Sequence, residues 1–539
     1  MLFYLVQAGD TIYVVGATNG TVVQALVMPA GVTIDRTKRA RFAVLNQTVV
    51  ISNAPSVNVW VDPFDFTVYK LALLAPPTPM VAAPTGSGPL TGSYGYRYTY
   101  GQRLRGVLVN ESPLSPAMTA PAVMTASNGA LSSISADATA GTPTNVRRVY
   151  RTTTNGADYF FDFEIAGNVT TTATDTTTDA GLDLAAFDLG IMNAPAGTDG
   201  TSQMTLLVAY KESLFGVGSG ITQVDHLFYT ENSLPFAWSG FNDLPANPVG
   251  EDRFGITGLA PRRDSMLIFK RVRTYKLIGS SNADFAMPVL LQKIGSLSAD
   301  AVITINDKTY WLAADGVYSI DDNDTVANLT RATVDGWFTT DAFFDRSLFT
   351  SAVGSWNPIS NSYELQIGTE WVAFQIDSGK WFGPHLTGAL TPTGRAVLRT
   401  PTGVYRSFVG GADGCLYLQN ATPPDDVSIA GVRSAIATDW SLTPMFDGDP
   451  GITHYWGELD LQARVEATGI TLSIVGKIGY VGALVTRPTQ TMDLTKGRQR
   501  LGRIGVGALC QLEFAQNQLG GEFLLYGLDV VPTTVVGRR

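Results

Sequence analysis

The sequence predicts an all-β chain: a β-propeller of about six blades, interrupted by an inserted sandwich and followed by a second sandwich. Three observations carry that expectation. Runs of four to seven β-branched and aromatic residues recur between Gly, Asn and Asp, as in SMLIFKRVRTYKLIG (265–279) and INDKTYWLAADGVYSID (305–321). Such runs are the mark of antiparallel hairpins. They also repeat at blade-like intervals. From Leu227, the anchors Tyr275, Val317, Val372 and Cys415 follow at 48, 42, 55 and 43 residues, and propeller blades of four strands recur every ~40–50 residues. Lastly, no stretch of twelve or more residues carries a helical apolar period.

Taken in order, residues 1–75 hold seven strand candidates, from Leu2–Val6 to Val68–Leu73, enough for one blade and part of another. Ala75-Pro76-Pro77-Thr78-Pro79 is a stiff hinge in which neither strand nor helix continues. Residues 76–200 change character. Tyr94, Tyr96, Tyr98 and Tyr100 alternate along one strand face. Val146–Thr152 and Tyr159–Ile165 read as further strands, and the polar run 170–179 as an edge or loop. About seven short strands in this length, with the phrases Glu111-Ser112-Pro113-Leu114-Ser115-Pro116 and Val149-Tyr150-Arg151-Thr152, are similar to a fibronectin-III sandwich. Blade-like pattern resumes over 201–422, where the phrase Ala314-Asp315-Gly316-Val317-Tyr318 returns as Ala412-Asp413-Gly414-Cys415-Leu416. A second Pro-rich hinge at Thr422-Pro423-Pro424 opens 423–539, whose strand set fits a jelly-roll-like sandwich.

Composition narrows the chemistry. Charged residues make up 16% of the 539, against 55 Gly and 28 Pro, and the net charge is −10. That balance argues against a broad basic face for nucleic acid. Cys415 and Cys510 lie 95 residues apart and read as small buried side chains. The opening MLFYLVQAGD lacks a basic leader region, and no apolar run reaches membrane length, so a soluble protein made in a cytoplasm is expected. His226, His385 and His454 have no ligand-like neighbours, and no nucleophile elbow, phosphate loop or zinc signature is present. No enzyme activity, cofactor or metal is expected. Gly216-Val217-Gly218-Ser219-Gly220 reads as a turn, and Asp321-Asp322-Asn323-Asp324 as a solvated loop in preference to a calcium site. Trp356, Trp371 and Trp381 read as blade packing in preference to a sugar platform. The C-terminal stretch carries ten basic and ten acidic residues over 431–539, with one basic cluster: Lys496, Arg498, Arg500 and Arg503, a candidate subunit contact.

The order of parts, with Ile268-Phe269-Lys270, Thr274-Tyr275-Lys276-Leu277, Gly295–Val302 and Trp311-Leu312 ahead of Asp315-Gly316-Val317-Tyr318, resembles the tail nozzle (tail tubular, tail-hub) proteins of short-tailed double-stranded DNA bacteriophages. The resemblance implies a non-enzymatic virion component. It would form a homo-oligomeric ring, usually a hexamer, below an adaptor and near tail fibres, with viral double-stranded DNA passing through the lumen without specific binding. The known nozzles are longer, which leaves the accessory partners open. Two rival classes are a phage fibre or adhesin, and a carbohydrate-binding propeller or glycosidase. A fibre calls for a repetitive shaft, and the second class for carboxylates and aromatics gathered in one pocket.

Overall fold

The computed structural model describes residues 3–16, 22–53, 58–71, 73–187, 204–218, 224–233, 242–246, 254–281, 284–340, 343–386, 392–399 and 403–411, and beyond these mainly the strands named below. The chain divides into two compact units, Met1–His385 with Arg395–Tyr405, and Leu386–Gly394 with Arg406–Arg539. Among the described residues of the first unit, six antiparallel sheets follow one another, leaving aside the insert. The first has three strands (Phe3–Ala8, Thr11–Gly16, Val22–Ala25). The next five have four strands each and span Arg41–Lys70, Met204–Pro245, Ile256–Gln292, Ile303–Asn328 and Val353–Leu386. Each is a meander in which chain neighbours pair, the blade pattern of a propeller. The sequence anchors fall on equivalent positions. Leu227, Tyr275, Val317 and Val372 all lie on the third strand of their sheet (His226–Tyr229, Arg273–Leu277, Gly316–Ile320, Glu370–Gln375). Cys415 and the Asp413-Gly414 echo lie outside the described residues.

Tight turns set the register. Asn46-Gln47, Lys211-Glu212 and Asn306-Asp307 each join a first strand to a second, with φ of +48° and +65°, +47° and +60°, and +48° and +64°. Positive φ at both central residues is the two-residue hairpin turn whose twist matches that of the strands. Gly216 and Gly218, expected in a turn, instead lie within the second strand Ser213–Gly218 of the third sheet. The physical reason is close packing, since a Cβ on Gly216 would collide with the Met204 sulfur. Ser219 and Gly220 lie outside the described residues.

Consecutive sheets pack face to face. Ile12, Val14 and Leu26 meet Ile51, Val59 and Val61, and Val50 and Trp60 meet Leu207, Phe228 and Trp238. Phe215 and Leu227 meet Ile268 and Tyr275, Phe269 meets Trp311, and Tyr310 stacks on Tyr363 at 5.4 Å. Each such buried aromatic contributes ~1.5–3 kcal/mol. Trp311 also donates its indole N–H to the Gly295 carbonyl, 3.1 Å away. The segment 395–405, past the sixth sheet, touches both ends of the series. The Tyr4 hydroxyl of the first sheet donates to the Arg399 carbonyl at 2.6 Å, and Trp356 of the sixth meets Tyr405 edge-on at 5.5 Å.

The insert is a two-sheet sandwich. One sheet orders Val107–Glu111, Tyr96–Leu104, Val146–Thr152, Tyr159–Ala166 and Asp183–Phe187; the other orders Ala173–Asp175, Ala122–Ser132 and Val81–Tyr94. The pairing of Tyr96–Leu104 with both Val107–Glu111 and Val146–Thr152, facing a sheet built on Val81–Tyr94 and Ala122–Ser132, is the fibronectin-III-like arrangement. Tyr94, Tyr96, Tyr98 and Tyr100 all point inward and are buried. The run 170–179 supplies Ala173–Asp175, an edge strand.

In the second unit, Thr438–Ser441, Leu509–Gln516, Thr471–Tyr480, Ala483–Thr486 and Gln490–Asp493 form one antiparallel sheet. Arg498–Leu501, Ile452–Val465, Gly505–Gly507 and Phe523–Arg538 form another. The only α-helix among the described residues is Asp335–Thr339.

Candidate functional site

The first strands of the second to sixth sheets are successive neighbours, which places them around a common axis. Arg39 and Arg41 stand at the start of this inner strand in the second sheet, and Asp300 just before that of the fifth. With two sheets between them in chain order, their ion pairs cross the axis: Arg41 Nη1 is 2.9 Å and Arg39 Nη1 3.3 Å from opposite oxygens of Asp300. Asp300 is a quarter exposed and Arg39 a third. Burial holds the Arg39 guanidinium below its ordinary pKa, Asp300 opposes that, and Arg41 adds to it.

These arginines end the run Arg36-Thr37-Lys38-Arg39-Ala40-Arg41, four cations in six residues and the densest basic stretch of the chain. Sequence reasoning passed over it, although its spacing was there to be read. The loop that carries it is pinned. Thr37 donates through both its amide and its hydroxyl to the Asp35 carboxylate. Gln7 donates to the Lys38 carbonyl at 2.9 Å and accepts from the Ala40 amide at 2.6 Å, while Asn53 donates to the Lys38 carbonyl at 3.1 Å.

Three further charge clusters are internally balanced. The predicted solvated loop 321–324 is a fastening between the fourth and fifth sheets. Buried Arg262 reaches the Asp322 carboxylate (3.0 Å), the Asp324 carboxylate (3.1 Å) and the Asp321 carbonyl, and Lys276 reaches Asp324 at 2.6 Å. On the insert, Arg148 meets Glu111 at 2.5 Å and Arg103 meets Glu164 at 2.7 Å. Buried Arg395 pairs with buried Glu364 and covers the Trp371 ring at 4.8 Å. The insert's core holds a strong acidic excess. There Arg151, fully buried, lies 4.0 Å from Asp162, 3.4 Å from Asp175 and 3.2 Å from Asp179. Tyr96 donates to Asp175 at 2.8 Å. Burial first, and Asp175 second, push the Asp162 carboxyl up to about 7.

Of the predicted basic cluster, Arg498 and Arg500 share the strand Arg498–Leu501, opposite Gln462 and Asp460 in register. Lys496 and Arg503 lie outside the described residues. His226 donates from Nδ1 to the Asp243 carboxylate, 2.8 Å away, and His385 and His454 sit on separate strands. No group of His, Cys, Asp and Glu fit for a metal occurs among the described residues. Trp381 donates to the Leu329 carbonyl at 2.9 Å and packs on Phe338 and Phe374, so it is blade packing. A cleft of about 350 Å³ opens beside the inner strands of the third and fourth sheets, lined by Val217, Val224, Phe254, Ile256 and Leu297. Arg271 lies over the Phe254 ring at 5.1 Å. No carboxylate stands among its described lining residues.

No family model matches the chain, and no curated protein does. Among solved structures it is similar to dihydro-heme d1 dehydrogenase NirN (12% identity, 79% of this chain and 72% of that one, TM-score 0.34). It is also similar to BamB from Moraxella catarrhalis (10%, 77% and 95%, 0.31) and to PorZ, a surface component of the type-IX secretion system of Porphyromonas gingivalis (8%, 98% and 86%, 0.28). The propeller assignment rests on the sheets themselves.

Proposed function

We propose that this chain is a structural virion protein, a tail nozzle component of a short-tailed phage, that assembles into a ring through which the genome leaves. The observation that carries this reading is the order of parts: blades, an inserted fibronectin-like sandwich, further blades, then a C-terminal β unit. In the first unit, ion pairs such as those of Arg262 with Asp322 and Asp324 fasten one sheet to the next. Such stiff sheets suit a part that bears load. Arg39, Arg41 and Asp300 occupy the axis of a single propeller, so the conduit lies between copies of the chain. The working form is a homo-oligomer of about six, located in the virion tail, contacting an adaptor and fibres.

Negative-stain imaging with light scattering of the purified chain, alone and with the adaptor of the parent particle, tests this. Rings of about six copies are expected. An elongated trimer favours a fibre or adhesin, and a monomer that retains polysaccharide favours a carbohydrate-binding propeller.

A further inference from the structure

We infer that Arg39 and Arg41 form a phosphate-binding site at the inner end of the propeller. Around Arg262, two cations meet two carboxylates, as they do around Arg148. Arg395 meets one carboxylate. At the axis, two guanidiniums share Asp300 alone among the described residues, while Arg36 and Lys38 stand exposed beside them. The nearby Asp35 carboxylate is engaged by Thr37 of its own loop. This is a local positive excess in a chain of net charge −10.

Burial makes that excess costly. Arg39 is held below its ordinary pKa by desolvation and by its neighbour Arg41, so a second anion would relieve both. Beyond the ion pairs with Asp300, neither guanidinium donates a hydrogen bond to a protein acceptor among the described residues. Two planar forks with open donors match the oxygens of a phosphate group, which accepts paired N–H bonds. The loop needs no rearrangement to present them, since Gln7 and Asn53 already hold its carbonyls and amides. Preorganisation of this kind lowers the cost of binding. The inference does not rest on the proposed function.

The test is calorimetric titration of sodium phosphate into the full-length chain, at constant ionic strength with chloride as control. Wild type is expected to bind at about millimolar affinity, enough to raise the melting temperature by ~2–4 °C at twentyfold excess. R39Q and R41Q should each weaken binding about tenfold. D300N removes the internal competitor and should tighten binding about tenfold, a gain that misfolding cannot mimic. Phosphate indistinguishable from chloride overturns the site, and so does weaker binding by D300N. A 20-base-pair duplex read by anisotropy identifies the source of the phosphate. Duplex binding lost in R41Q assigns it to a nucleic-acid backbone, and phosphate binding without duplex binding to a free or terminal phosphate. Duplex binding would support the site and count against a conduit that does not hold its cargo.

Discussion

The axis of the propeller and the core of the insert solve opposite charge problems. At the axis two arginines share one carboxylate, in reach of solvent. In the sandwich one arginine faces three carboxylates, and Arg151, Asp162 and Asp175 have no solvent-exposed side chain. An excess cation near water is left open to an exchangeable anion. Arginine itself cannot shed its proton in a protein. An excess carboxylate sealed from water is instead neutralised by a proton, which is why Asp162 is pushed up to about 7. Burial therefore decides whether an imbalance becomes a site or a titration. The same contrast separates the roles of the residues. Arg151 ties the five-stranded sheet to Asp175 of the three-stranded one, whereas Arg39 and Arg41 lie where the inner strands converge, a third and a quarter exposed.

The largest effect is expected from removing the sealed cation. R151M leaves Asp162, Asp175 and Asp179 facing one another without a counter-charge, and breaking a buried ion pair costs ~3–5 kcal/mol. Chemical denaturation followed by tyrosine fluorescence should show the insert unfolding early, since Tyr94, Tyr96, Tyr98 and Tyr100 all report on its core. An unshifted midpoint would mean that the cluster is not closed.

Next in size is the pH dependence. The folded pKa of Asp162 is raised from 3.8 to about 7, so between those values the folded state holds a proton that the unfolded chain has released. Stability is then fully present below about pH 4, declines as pH rises toward 7, and is flat above. The groups facing Asp162 are Arg151, Asp175, Thr177 and the Tyr96 hydroxyl bonded to Asp175. D162N should abolish the slope and stabilise the insert at pH 8 by on the order of 1–2 kcal/mol. A melting temperature of wild type that rises from pH 5 to pH 8 would reverse the sign.

How much of this was legible follows from the distance over which each signal acts. The blade series could be read because a third strand buried between neighbours must be apolar on both faces. Leu227, Tyr275, Val317 and Val372 therefore recur whatever surrounds them. The tyrosine alternation was legible for the same local reason. Hairpin turns were only partly so: Asn306-Asp307 has suitable residue types for positive φ, but Lys211-Glu212 does not, and there the flanking strands impose the turn. Gly216-Val217-Gly218 looked like a turn by composition, yet Met204, distant in sequence, calls for the missing side chain. The ion clusters were not legible as clusters. Arg151 and Asp175 are brought together by two sheets, and Arg41 and Asp300 by a ring of sheets. A chain-wide charge of −10 averaged away the run from Arg36 to Arg41.

The axis should tolerate in stability what the insert does not. D300N leaves Arg39 and Arg41 near each other without their carboxylate, but they remain 34% and 27% exposed. Partly solvated pairs are worth ~0.2–1 kcal/mol, so thermal melting in chloride should fall by no more than a few degrees. A loss as large as that of R151M would show the axis to be sealed and erase the contrast.

The smallest effect on the monomer is expected at Arg498 and Arg500. They occupy alternate positions on the strand Arg498–Leu501, and in register Arg500 pairs with Asp460, itself paired with Asp529 on the other side. Cross-strand pairs of opposite charge contribute ~0.2–1 kcal/mol, and R498S/R500S should lower stability by no more than that. If these residues form a subunit contact, the double variant should stay folded by circular dichroism while its ring population falls in light scattering and negative-stain images. The two readouts discriminate because a purely structural role moves stability and leaves assembly of the folded fraction intact. Rings forming at wild-type yield would remove Arg498 and Arg500 from the interface. Rings lost in high salt from the wild type, but unaffected by the substitution, would transfer the contact to other charges of the chain.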